Sequence, residues 1–139
     1  MPTLTHMLDT SALLAHYFGE PGAEQVSQLW SHRTNRIAVC ALTLPELRTA
    51  LEHVVSDTEE VARAFHLYID DLTVTVPATR SVAELAIELR KVAAERLPLV
   101  DSIIAACAKE VSAVLVHRDP HLATIPQHAV RQLVLPDKV

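Results

Sequence analysis

Cysteine is scarce in this 139-residue sequence: Cys40 and Cys107 are the only two. Both lie in apolar runs, Ile37 to Leu42 and Ile103 to Ala108, so free buried thiols are expected and a disulfide-stapled fold is not. No apolar run approaches the roughly 20 residues of a membrane span. The opening segment is apolar but short, has no basic stretch and runs straight into Asp9, which reads as a buried strand and not as a signal peptide. A cytoplasmic protein without a membrane partner is therefore expected. Positive charge is also in deficit, with 12 Lys and Arg against 17 Asp and Glu, which argues against a broadly basic protein that coats nucleic acid. Lysine stands only at 91, 109 and 138. None of these suits the strand-end lysine of a receiver-like aspartyl-phosphate site, and Asp9-Thr10-Ser11 lacks the Asp-x-Asp of the phosphatases. No polar low-complexity stretch, internal repeat or linker is visible, so residues 1–139 are expected to form one domain.

What is present is an alternation of short β-like runs with longer helical ones, the pattern of an α/β fold with a largely parallel sheet. Strands are predicted at Thr3–Leu8, Arg36–Ala41, Leu72–Val76, Ala113–His117 and Arg131–Leu135. Helices are predicted from Asp9 to the Gly19-Glu20-Pro21-Gly22 break, over Gly22–His32, from Thr43 to about Val55, over Asp57–Asp70, over Thr79–Glu95 and from Pro98 to Lys109. Thr43 and Glu46 have the spacing of a capping box, with Pro45 tolerated in the first turn. Apolar positions in Val82–Leu89 and Leu47–Val54 are expected to be core or dimer-interface surface.

Four acids fall at places where this architecture gathers ligand sites. Asp9 and Asp119 follow predicted strands, and Glu46 and Asp101 occupy first turns of predicted helices, where the dipole favours negative charge. In a parallel sheet the helix after a strand starts on the edge where that strand ends, so four distant carboxylates can converge on one edge. Taken singly, each has a plain structural account as a cap or turn residue. Together, with Asp9 and Asp101 set in apolar sequence, they suggest a cluster that only a cation would make tolerable. All-oxygen donors favour Mg²⁺ or Mn²⁺, and one or two such ions serve phosphodiester hydrolysis.

The segments Leu8-Asp9-Thr10-Ser11-Ala12-Leu13, Thr43-Leu44-Pro45-Glu46-Leu47, Leu97-Pro98-Leu99-Val100-Asp101-Ser102 with the apolar run after it, and Val114-Leu115-Val116-His117-Arg118-Asp119 resemble those of the PIN-domain family, in particular the VapC-type toxins of bacterial toxin–antitoxin pairs. The resemblance spans nearly the whole chain. It implies a three-layer α/β/α fold with a sheet of about five strands, and a Mg²⁺- or Mn²⁺-dependent endoribonuclease. It further implies that the enzyme is a homodimer held inactive by a small cognate antitoxin. The site residues would be Asp9, Glu46, Asp101 and Asp119. The departure is in the last motif, where members often read Thr-x-Asp-x-Asp-Phe: here His117 stands for the hydroxyl and His121 for the second acid. These two histidines could bind a softer metal or contact RNA. Ser11, Ser102 and His117 could orient carboxylates from behind, and Arg48, Arg118 and His121 could meet RNA. Capping serves equally for the serines, and solvated surface positions for the arginines. A catalytically silent binding module with the same fold is the alternative from another class.

Overall fold

The computed structural model describes residues 3–138. Five strands, β1 (His6–Leu8), β2 (Ile37–Cys40), β3 (Val74–Val76), β4 (Val114–His117) and β5 (Gln132–Val134), form one parallel sheet in the order β3-β2-β1-β4-β5. The expected parallel α/β sheet is present, with each strand shorter than its apolar run. Successive strand residues face opposite layers, as the period of two demands. Met7, Ala38, Cys40 and Leu115 pack into one core, and Leu8, Ile37, Val39 and Val116 into the other.

Helices α1 (Thr10–Phe18), α2 (Ala23–Ser31), α3 (Thr43–Val54) and α4 (Thr58–His66) supply the second core, and α5 (Arg80–Val92) and α6 (Leu99–Glu110) the first. The result is three layers, α/β/α. Between α1 and α2 the chain turns on glycine where other residues would be strained. Gly19 ends α1 at φ 66 with its N–H on the Ala15 and His16 carbonyls. At Gly22 (φ 98) an added Cβ would meet Leu135 at 3.1 Å.

Three expectations need correction. Thr43 is inside α3 and not its cap: Leu42 holds the cap position, and the buried Thr43 hydroxyl has no hydrogen-bond partner among the described residues, so no capping box forms. The helix expected over Asp57–Asp70 is α4 followed by a π-helical turn, Leu67–Asp71. α5 stops at Val92 because Ala93 turns extended. The two cysteines are free and buried, with their sulfurs 3.1 Å apart. Among the described residues no helix is long and apolar enough to cross a membrane.

The strand order fixes where a ligand could sit. From β1 the chain passes to β2 and β3 through the helices of one layer. It then returns to β4 through α5 and α6 on the other, so the connections leaving β1 and β4 diverge to opposite faces. The crevice at the carboxyl ends of these neighbouring strands is the switch point where open parallel sheets bind ligands.

Candidate active site

Asp9 enters that crevice directly from β1, its N–H still bonded to Val116 of β4 at 3.2 Å. It caps α1: one carboxylate oxygen accepts from the Ala12 N–H at 3.0 Å and from the Ser11 hydroxyl at 2.6 Å. The residue is 4% exposed. The carboxyl is raised to about 7 overall: burial lifts it most, the bonds from Ser11 and Ala12 pull it part of the way back, and the charges of Asp119 and Asp101 add to the rise. A cap alone does not account for this acid, because a capping carboxylate ordinarily titrates low.

The adjoining residues tie the crevice together. Ser11 also accepts the Arg118 N–H at 3.0 Å, joining the end of β1 to the end of β4. Thr10 donates to Glu46 Oε1 at 2.8 Å, which aims the Glu46 carboxylate from α3 toward the end of β1. Asp101 reaches the crevice by a route the sequence argument did not foresee. α6 follows another helix and not a strand, and the α5–α6 turn returns its first residues to the sheet edge. The Asp101 carboxyl is raised to about 6, by burial first and then by Asp119 and Glu46.

Asp119 is set by its backbone. His117, fully buried, accepts the Asp119 N–H on Nδ1 at 3.0 Å, so its Nε2 carries the proton and donates to Gln132 Oε1 at 2.8 Å. Burial lowers the imidazole pKa, which keeps the ring neutral in this arrangement. Both ring nitrogens are thereby used, and His117 supports Asp119 without being available to metal or RNA. After Asp119 the chain turns, with its carboxylate accepting the His121 N–H at 2.8 Å. Donor atoms of Asp101, Asp119 and His121 all lie within 4.8 Å of one another. Asp9 and Glu46 flank this set, near enough to be felt in the titration of Asp9 and Asp101.

Three residues proposed for the site lie elsewhere. Ser102 is buried and donates to its own helix at Leu99 O (2.6 Å), so it orients no carboxylate. Arg48 is on another side of α3 from Glu46, paired with Glu52 at 3.2 Å and 5.4 Å from the centre of the Phe65 ring. Arg118 turns inward onto Glu20, which also takes Lys138 at 3.0 Å, so its charge is spent in the fold. The sequence reading passed over Thr10, Glu20 and Gln132. Of these, only Thr10 carried a signal, its place inside Asp9-Thr10-Ser11.

The donor set suits a hard divalent ion. Several carboxylates meet one imidazole in a partly open crevice, and two of the acids are held at raised pKa by burial and mutual repulsion that a cation would relieve. Asp101, Asp119 and His121 could hold such an ion, with Asp9 and Glu46 beside it.

The chain belongs to the PIN domain family, whose profile matches residues 6–127. Its fold is that of VapC-type proteins. VapBC2 from Rickettsia felis, bound to a DNA fragment from its promoter, is 18% identical over 96% of this chain and 100% of that one, with a TM-score of 0.75. VapBC-1 from nontypeable Haemophilus influenzae is 20% identical over 94% and 98%, at TM-score 0.72. VapC20 from Mycobacterium tuberculosis, described as a sarcin-ricin loop cleaving toxin, is 16% identical over 86% and 93%, at TM-score 0.66. Among curated proteins, none matches in sequence.

Proposed function

We propose that this chain is a metal-dependent endoribonuclease acting as the toxin of a VapBC-type pair, with Asp9, Glu46, Asp101 and Asp119 as its catalytic acids. The observation that carries the reading is the convergence of these acids, from four distant segments, on the β1–β4 crevice of a PIN fold. A bound Mg²⁺ or Mn²⁺ would supply the positive charge that hydrolysis of a phosphodiester needs as negative charge develops. The protein's own part is positional. Ser11 and the Ala12 N–H fix one oxygen of Asp9, Thr10 fixes Glu46, and His117 fixes the backbone of Asp119.

The partner readings follow from the surroundings of the site. Beside Glu46 an open apolar groove is lined by Leu42, Pro45, Ala50, Val54 and Val100, and a small antitoxin with an apolar segment lying there would obstruct the crevice. Exposed Ile87 and Leu99 on the α5–α6 face suit a homodimer. Cytoplasmic action on RNA, within a single domain spanning 1–139, completes the reading.

The test is incubation of the purified chain with a mixed RNA pool, in Mg²⁺, in Mn²⁺ and in chelator. Cleavage is expected in either metal and not in chelator, and equal cleavage in all three would defeat the metal reading. Expressed alone in a bacterial host the chain should be toxic, and Asp9→Asn or Asp101→Asn should relieve the toxicity at equal abundance.

A further inference from the structure

We infer that His121, through Nδ1, is a direct ligand of the divalent ion held by Asp101 and Asp119, and that this nitrogen donor biases the site toward Mn²⁺ over Mg²⁺. The inference rests on the metal-dependent reading above and extends it to a residue that stands where the resembling family often has an acid.

The position of the ring is imposed by the chain around it. The Asp119 carboxylate takes the His121 N–H at 2.8 Å, Thr124 donates to the His121 carbonyl at 2.7 Å, and the next side chain, Leu122, is fully buried. His121 therefore sits between a closed turn and an anchored 3-10 helix, Leu122–Thr124. From there Nδ1 faces two carboxylates at once, 3.5 Å from Asp119 Oδ1 and 3.7 Å from Asp101 Oδ2. Neither contact is a hydrogen bond, since good N–H···O pairs close to about 2.9 Å. Atoms bound about 2.0 to 2.2 Å from one ion instead stand about 3 to 3.6 Å apart; the Asp119 spacing of 3.5 Å falls in that range and the Asp101 spacing of 3.7 Å just beyond it.

The ring is otherwise free. Among the described residues no hydrogen bond reaches either ring nitrogen of His121, in contrast to His117, whose nitrogens are both engaged. Nε2 can carry the proton and leave the Nδ1 lone pair for a metal. Mg²⁺ gains little from imidazole and prefers oxygen with retained water, whereas first-row transition ions accept nitrogen readily. A protonated His121 serving merely as counter-charge to the acids would have the opposite consequence, because it would compete with any cation.

The experiment uses the full chain, its His121→Ala variant and its His121→Asp variant. The backbone bonds of the turn do not depend on the ring, which is 57% exposed. Each protein is titrated with MnCl₂ and MgCl₂ by calorimetry, and the Mn²⁺ complexes are examined by pulsed electron paramagnetic resonance for coupling to ¹⁴N. The parent should show ¹⁴N coupling and both variants should lose it. In His121→Asp the preference for Mn²⁺ over Mg²⁺ should fall by about tenfold as an oxygen replaces the nitrogen. An oxygen-only spectrum in the parent, ¹⁴N coupling that survives in His121→Ala, or tighter binding of both ions by His121→Ala would overturn the assignment. An oxygen-only Mn²⁺ site in a protein that cuts RNA defeats the His121 ligand and leaves the nuclease. Nitrogen-coupled Mn²⁺ without RNA cleavage defeats the nuclease and leaves the ligand.

Discussion

Replacing Asp9 by asparagine should stabilise the metal-free protein, and more so as the pH rises. The carboxyl titrates at about 7 in the folded chain against 3.8 unfolded. Between those values the folded state keeps a proton that the unfolded state has lost. Its contribution to stability is therefore complete below 3.8 and is lost as the pH rises through about 7. At 1.36 kcal/mol per pH unit, the ionised carboxyl costs the empty site about 4 kcal/mol at pH 8 relative to a neutral group. Asparagine keeps an oxygen for the Ala12 N–H and the Ser11 hydroxyl, and it ranks with aspartate as an N-cap, so the substitution removes charge with little else.

The gain of Asp9→Asn over the parent should thus grow from less than about 1 kcal/mol at pH 4 to about 4 kcal/mol at pH 8. His6, His16 and His117, each lowered by burial, impose the opposite trend below their usual range, but they do so in both proteins and cancel in the difference. Equilibrium urea unfolding in chelator at pH 4, 6 and 8 measures it. Saturating Mn²⁺ should narrow the gap at pH 8 by about 2.7 kcal/mol at a hundredfold excess over Kd, since the substituted protein forgoes most of the binding. A variant less stable than its parent at pH 8 in chelator, or a difference that ignores pH, would return Asp9 to the status of a simple helix cap.

Asp101→Asn should show the same sign with a smaller pH effect and should lower RNA cleavage by at least about 100-fold with the fold intact, measured on one RNA pool at equal protein concentration. His117→Leu leaves the Asp119 N–H and Gln132 Oε1 without their partner in a part-buried place, and should cost about 1 to 3 kcal/mol in urea unfolding. Arg118→Met leaves the partly buried Glu20 with only Lys138 for company. It should cost about 3 kcal/mol while the salt dependence of RNA binding stays as in the parent; a shallower slope would restore Arg118 as a phosphate contact.

The fold was legible where it rests on local periodicity, and the site where it rests on topology. The inner runs became strands because a parallel sheet buries both faces, as Ile37 to Cys40 do without exception, whereas the edge strands β3 and β5 stay largely open to solvent. The acids after β1 and β4 could be placed from that fact alone. Part of what failed depended on partners far along the chain, although Ser102 was taken by Leu99 of its own helix. Arg118 finds Glu20 98 positions away, and Arg48 is turned toward Phe65 on the neighbouring helix; no spacing rule anticipates either pairing. The capping box failed for the converse reason. Its spacing was right, but Thr10 claims the Glu46 carboxylate from 36 positions away, and Thr43 lies within the helix it was expected to cap.

Thr10 and Ser11 show how one short motif serves two levels of the structure. As sequence, Asp9-Thr10-Ser11 is a helix start, and Asp9 does cap α1. In the fold the two hydroxyls also cross-link the site, Thr10 to Glu46 of α3, and Ser11 to Asp9 and the Arg118 N–H after β4. Two of the four acids, Asp9 and Glu46, are thus tied to one another through a single turn of α1, which also holds the backbone beside Asp119, and His117 locks the Asp119 N–H itself. Carboxylates that repel would otherwise splay apart in the absence of a cation, and each would have to be reordered when one arrived. Hydrogen bonds from the first turn of α1 hold Asp9 and Glu46 in place beforehand, so burial first, and the repulsion of neighbouring acids after it, remain in the fold as the raised carboxyls of Asp9 and Asp101, available to be relieved by binding.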